Sequence, residues 1–114
     1  MKRILVVAAM LLGTASANAF DLSFLGNSVL QWLTSADAQM LNRALEAALK
    51  AEKEGTVERW SNPQTGASGS ITFQRAFQRG GAPCRSLQIK TTAQEITQGG
   101  VYQLCRQPDG TWAF

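Results

Sequence analysis

Cys84-Arg85-Ser86-Leu87-Gln88-Ile89-Lys90-Thr91-Thr92-Ala93-Gln94-Glu95-Ile96-Thr97-Gln98-Gly99-Gly100-Val101-Tyr102-Gln103-Leu104-Cys105 decides the fold, together with the Arg106-Gln107-Pro108-Asp109-Gly110-Thr111-Trp112 that follows. Apolar and polar side chains alternate on both sides of its midpoint, the period of a half-buried strand. The chain has two cysteines, so Cys84 to Cys105 is the one intramolecular pair it can form. A disulfide between neighbouring antiparallel strands wants its cysteines opposite each other, which centres the hairpin between residues 94 and 95. Gly99-Gly100 is the stronger local turn dipeptide. The cysteine geometry outweighs it here, so the turn is expected at Gln94-Glu95, with the glycines as a bulge or a close backbone approach. Leu87 and Ile89 then share a face with Tyr102 and Leu104, and the cysteines lie on the other.

Working outward toward the C-terminus, Gln107-Pro108-Asp109-Gly110 makes a turn, with proline presetting φ and glycine closing it. Thr111-Trp112-Ala113-Phe114 follows as a short strand, Trp112 and Phe114 on one side and packed together in the core. On the other flank, Gly80-Gly81-Ala82-Pro83 is a hairpin connection. The strand before it runs from Ser70 to Arg79, with Ile71, Phe73 and Phe77 on one side and Thr72, Gln74 and Gln78 on the other. Arg75 breaks the apolar side, as an edge position or a snorkelling side chain would. Trp60-Ser61-Asn62-Pro63-Gln64-Thr65-Gly66-Ala67-Ser68-Gly69 reads as a loop by composition.

One amphipathic helix precedes this loop, spanning about Ser35 to Glu54. Thr34 or Ser35 supplies the N-cap oxygen, and Asp37 in the first turn suits the helix dipole. Met40, Leu41, Ala44, Leu45, Ala48 and Leu49 recur every three or four residues as one apolar stripe, and Gly55 is read as the helix terminator. Residues 20–34 form a lead-in whose Leu30, Trp32 and Leu33 dock on the domain of residues 35–114.

The chain opens with Lys2-Arg3, an apolar run from Ile4 to Leu12, and small residues at Ala15, Ala17 and Ala19. That order is a secretory signal peptide over residues 1–19, with cleavage expected before Phe20. No cysteine lies near the cleavage point to take a lipid. Removing 19 of 114 residues leaves 95, enough for one small domain. It also removes two of 11 basic residues, leaving nine against eight acids, a net charge of +1. Residues 60–114 alone carry five basic and two acidic side chains, so the positive charge sits in the C-terminal half. In an exported chain the cysteines are oxidised. The bridge closes 22 residues, counting both cysteines, and is worth roughly 3 kcal/mol.

The chain has no histidine, which excludes histidine-based triads, histidine-activated thiols and most zinc sites. No metal or cofactor is expected. The cysteines are too far apart for a redox C-x-x-C pair. The carboxylates Glu46, Glu52, Glu54 and Glu58 mix with lysines and arginines as on a solvated face.

Together, the helix, the W-x-N-P-x-[TS]-G-x-x-G loop at Trp60–Gly69, Cys84-Arg85, and the C-R-x-x-D-G-x-W ending at Cys105–Trp112 resemble the C-terminal domain of the bacterial surface-antigen family typified by the rickettsial seventeen-kilodalton antigen. The resemblance covers roughly residues 36–114. It implies a cell-envelope protein with a small helix-plus-sheet domain and no established enzymatic activity. The best-known members are lipoproteins with a glycine-rich segment before this domain. Neither feature is present here, which favours a soluble periplasmic protein associated with the envelope.

The expected fold class is therefore α+β, one amphipathic helix packed on a small antiparallel sheet with one disulfide. The expected function is a non-enzymatic binding or structural module for an envelope protein or an anionic envelope polymer, with no nucleic-acid partner and no transmembrane segment in the mature chain. Arg85 and Arg106, in a cluster with Lys90, are the candidate anion-binding residues. The alternative is a periplasmic enzyme inhibitor that inserts the Trp60 to Gly69 loop into a cleft, and Trp60 is a further candidate binding residue.

Overall fold

The computed structural model describes residues 27–114. The expected signal peptide over residues 1–19 and the first seven residues of the expected lead-in lie outside the described residues. Two helices, α1 (Asn27–Leu30) and α2 (Ser35–Lys50), precede five strands, β1 (Val57–Ser61), β2 (Ser68–Arg79), β3 (Ala82–Ala93), β4 (Ile96–Arg106) and β5 (Trp112–Ala113). The strands form one antiparallel meander in the order β1-β2-β3-β4-β5. The class is α+β, as the apolar stripe beside the alternating segments requires.

The hairpin signals resolve as the cysteines demanded. Cys84 stands opposite Cys105 with Cα atoms 4.0 Å apart and the sulfurs bonded. Ala93 pairs with Ile96, so the turn is Gln94-Glu95, both residues in the left-handed region at φ 52° and 65°. The β3–β4 register runs unbroken, with Gly100 opposite Ile89 and Gly99 opposite Lys90. The glycines are a close approach and make no bulge. A Cβ on Gly100 would come within 3.1 Å of the Tyr102 ring.

α2 packs along β1 and β2. Leu41, Ala44, Leu45, Ala48 and Leu49 are buried against Trp60, Ile71, Phe73, Leu87, Ile89 and Leu104. Val29 of α1 extends this core toward the far end of β3 and β4, where its backbone N–H donates to Gln98 Oε1 at 2.9 Å. Leu30 and Leu33 pack on the core's margin, whereas Trp32 remains 45% exposed.

The helix ends differently from the expectation. Its last residue is Lys50, and Ala51 is already extended at ψ 142°. Gly55 belongs to the turn beyond, at φ 92°. The terminating groups come from the sheet: Arg85 Nη1 on β3 donates to the carbonyls of Ala48 at 3.0 Å and Ala51 at 2.7 Å. These are among the carbonyls a helix C-terminus leaves without intrahelical partners.

A second correction concerns β2. The pairing slips between Phe73 and Arg75, so Phe73 faces Leu87 while Arg75 faces Ser86 and Phe77 faces Cys84. This one-residue bulge at Gln74 turns Arg75 and Phe77 onto the face away from the helix, since a slip of one exchanges faces. Ala76, opposite Arg85, takes the helix side instead. Arg75 is therefore no interruption of an apolar face.

Phe114 is the third correction. It is 56% exposed and meets Tyr102 edge-on at 6.1 Å, while Trp112 alone of the two packs on the core.

Candidate binding face

The expected loop Trp60–Gly69 is a connection over residues 62–67 flanked by strand at both ends. Trp60 and Ser61 close β1, Ser68 and Gly69 open β2, and Trp60 pairs with Gly69. The indole lies over Gly69, where a Cβ would sit 2.5 Å from Trp60 Nε1. Trp60 is 8% exposed, so the candidate binding residue is a core residue under α2.

The connection between the two strands is tied to the helix N-terminus. Asp37 is fully buried, with no basic residue among its hydrogen-bond partners. Its Oδ1 accepts from Asn62 Nδ2 at 2.7 Å and from Thr65 Oγ1 at 2.8 Å, and its Oδ2 accepts from the Thr34 backbone N–H at 3.0 Å. Thr34 Oγ1 accepts the Asp37 N–H in return, completing a capping box. Burial pushes the carboxyl's pKa up, and the hydrogen bonds from Thr34, Thr65 and Asn62 together outweigh it, leaving the group below the ordinary 3.8. Asn62 Oδ1 also accepts from Gln64 N–H, and Gly66 turns the chain at φ 79°. The segment is braced inward by its own polar side chains.

The three candidate cations do not form one cluster. Arg85 and Arg106 lie toward the helix side, and both line a depression with Trp112 and Leu49. Arg85 is engaged there, on the helix carbonyls and over the Phe73 ring at 4.0 Å. Burial lowers its pKa, without threatening the charge of a guanidinium. Arg106 is exposed. Lys90, opposite Ser70 and Gly99, points to the other face of the sheet.

That face, which no helix covers among the described residues and which is called the helix-free face below, is where unassigned chemistry collects. Residues paired across an antiparallel ladder share a face, so the register lays out its rungs. One rung is Arg59, Ser70, Lys90 and Gly99; the next is Ser61, Ser68, Thr92 and Thr97. All of these but Gly99, together with Trp60 and Gly69, line an open groove of about 490 Å³. Thr92 and Thr97 hydroxyls lie 2.8 Å apart. On the other side of the basic rung are Val57, Thr72, Gln88 and Val101, with Val101 57% exposed. Farther along, Arg75 and Arg79 flank the Phe77 ring at 4.6 and 5.5 Å. No strand residue on this face is acidic, whereas Glu58 of β1 falls opposite Ile71 on the helix side. Four strand cations on one face with no acidic strand residue among them make a positive surface, although a carboxylate does approach β2 there, since Glu54 Oε2 accepts from the Ala76 N–H at 2.8 Å beside Arg75. Among the described residues no cluster of histidine, cysteine or carboxylate side chains could hold a metal ion.

The family model described as 17 kDa outer membrane surface antigen matches residues 47–113, from the last turn of α2 through β5. The chain belongs to the 17 kDa surface-antigen family. It is 30% identical to a 17 kDa surface antigen of Rickettsia bellii over 107 residues, covering 89% of this chain and 64% of the relative. The 17 kDa surface antigens of Rickettsia felis and Rickettsia prowazekii are 32% and 30% identical over 82 residues, in each case 67% of this chain and 48% of the relative. The chain thus spans from just under half to just under two-thirds of the length of these antigens. No solved structure matches it.

Both motifs that carried the family resemblance prove structural here. Asn62, Thr65 and Gly66 of the first build the Asp37 clamp. In the second, Cys105 is the staple and Asp109 Oδ1 accepts from Thr111 N–H and Oγ1 at 3.0 and 2.6 Å, while Gly110 takes φ 91°. Arg59 and the hydroxyl rung went unnoticed in the sequence because Glu58-Arg59 reads as a neutral pair. The alternation of Val57-Glu58-Arg59-Trp60-Ser61 was the available signal, since it sends Glu58 and Arg59 to opposite faces.

Proposed function

We propose that this surface-antigen domain is an exported, non-enzymatic envelope protein whose helix-free sheet face binds an anionic envelope polymer. One observation carries the reading: Arg59, Arg75, Arg79 and Lys90 share a face on which no strand residue is acidic. A sheet face that is merely solvated usually intersperses both signs, as the helix side does with Arg43, Glu46, Lys50 and Glu58. Focused positive potential raises the local concentration of a polyanion and speeds its encounter. The groove's hydroxyls add hydrogen bonds that a bare ion exchanger lacks. The family's printed description, an outer membrane surface antigen, supports an envelope setting, and the leader over residues 1–19 supplies the export route. Among the described residues no helix is long and apolar enough to cross a membrane.

The test is co-sedimentation with purified lipopolysaccharide and with peptidoglycan sacculi at low and moderate salt, for the protein and for an Arg59→Ala, Lys90→Ala variant. Retention that falls with salt and with the two substitutions supports the reading, because exposed charge pairs are screened. Salt-resistant retention, unchanged in the variant, overturns it.

A further inference from the structure

Building on the reading that the helix-free face binds an anionic glycan, we infer that its groove recognises a phosphorylated sugar, with the phosphate over Ser70 and the sugar ring over the adjacent hydroxyl rung. Arg59, Ser70 and Lys90 occupy one rung on three successive strands. Strands lie about 4.8 Å apart, so the two cations rise from backbone positions about 10 Å apart with the serine hydroxyl midway between them. A phosphate centred on the serine is within reach of both long side chains, the guanidinium as a planar fork and the ammonium as a point charge. The rung thus offers three kinds of donor side by side, which suits a tetrahedral anion with several acceptor oxygens.

Gly99 completes the rung. It stands opposite Lys90, and a Cβ there would come within 3.3 Å of Lys90 Cγ. The missing side chain leaves room for the lysine stem and keeps the β4 end of the rung open.

The neighbouring rung decides in favour of a sugar. Ser61, Ser68, Thr92 and Thr97 place one hydroxyl on each of four strands, and all four line the same groove as Arg59 and Lys90. Hydroxyls both donate and accept, matching the mixed donors and acceptors around a pyranose ring. A lipid chain or an apolar peptide finds no counterpart in that rung.

The test is an NMR titration of the full chain, expressed with its own leader and purified as the cell processes it. Glucose 1-phosphate, glucuronate, glucose and oligo(glycerol phosphate) serve as probes. Glucose 1-phosphate is expected to shift the amides of Ser70, Lys90, Thr92 and Thr97 and to bind about tenfold more tightly than glucuronate, glucose or the sugar-free phosphodiester. Ser70→Ala should narrow the preference over glucuronate, and Thr92→Val with Thr97→Val the preference over oligo(glycerol phosphate). The methyl phosphodiester of glucose distinguishes the two sources: binding equal to the monoester assigns phosphates within a polymer chain, and weaker binding assigns a terminal phosphate such as that of a glycolipid. Glucuronate or oligo(glycerol phosphate) binding as tightly as glucose 1-phosphate at these residues would overturn the phosphosugar assignment while leaving the anionic face intact. Absence of any shift on this face with every probe, beside unchanged co-sedimentation of the Arg59→Ala, Lys90→Ala variant, would overturn both.

Discussion

Asn62 Nδ2 donates to Asp37 Oδ1 across 2.7 Å, joining the β1–β2 connection to the first turn of α2 through a carboxylate that has no exposure to solvent. A buried carboxylate is tolerated only when its oxygens are satisfied, and here three donors from two separate segments satisfy it. The contact fixes how the helix sits on the sheet, and so which face the sheet leaves open.

Replacing Asp37 with alanine removes the acceptor for Asn62, Thr65 and the Thr34 N–H together. The expected loss is about 3 kcal/mol, as lost caps and stranded buried donors cost. Urea denaturation followed by circular dichroism checks it.

The same carboxyl sets an acid limit. Its pKa in the fold is below the ordinary 3.8, so the folded state binds fewer protons there than the unfolded state. Its stabilisation is complete above the unfolded pKa and is lost as pH falls through the lower folded value. Stability curves for the protein and for Asp37→Asn should converge as pH drops below 3.8 and separate above it, with the variant the less stable. Parallel curves throughout would remove Asp37 from the acid response.

Arg85→Ala should lower the melting temperature by about 10 °C, corresponding to roughly 2 kcal/mol for a domain of this size, because it uncaps α2 and removes the stack on Phe73. Its affinity for anionic polymer should be unchanged. Thermal melts and binding on the same preparation separate the two roles.

Gln94 and Glu95 both hold left-handed backbone without being glycine, a conformation that costs such residues roughly 1 kcal/mol each. Gln94→Asn with Glu95→Gly, the residues a two-residue hairpin turn of this kind prefers, should stabilise the protein by about 1 kcal/mol without moving the register. Denaturation midpoints check the gain, and the intact Cys84–Cys105 bridge reports the register.

The helix stripe was legible because burial repeats at helical spacing, and the β3–β4 register was legible because the cysteine pair outweighs the glycine dipeptide. What escaped depended on contacts between distant segments. The bulge at Gln74 leaves no mark in the alternation, so Phe77 was placed on the wrong face. The helix stops at Lys50 because an arginine from β3 arrives there, which no local glycine announces. Arg85 looked like an exposed cation because nothing near it in the chain reveals its partners, Ala48, Ala51 and Phe73. Trp60 looked like loop because Asn-Pro and the glycines lie so close behind it.

The claim that the helix-free face does the binding is tested most directly by reversing the same amount of charge on one face or the other, in two variants of equal net charge. Arg59→Glu with Lys90→Glu alters the open face; Arg43→Glu with Lys50→Glu makes the same change on α2. Dissociation constants for purified lipopolysaccharide, measured at one low salt concentration, should weaken at least tenfold for the first variant and by less than about threefold for the second, since only the first removes the direct charge contacts. Equal weakening in both would mean that net charge alone governs binding, and would contradict the account.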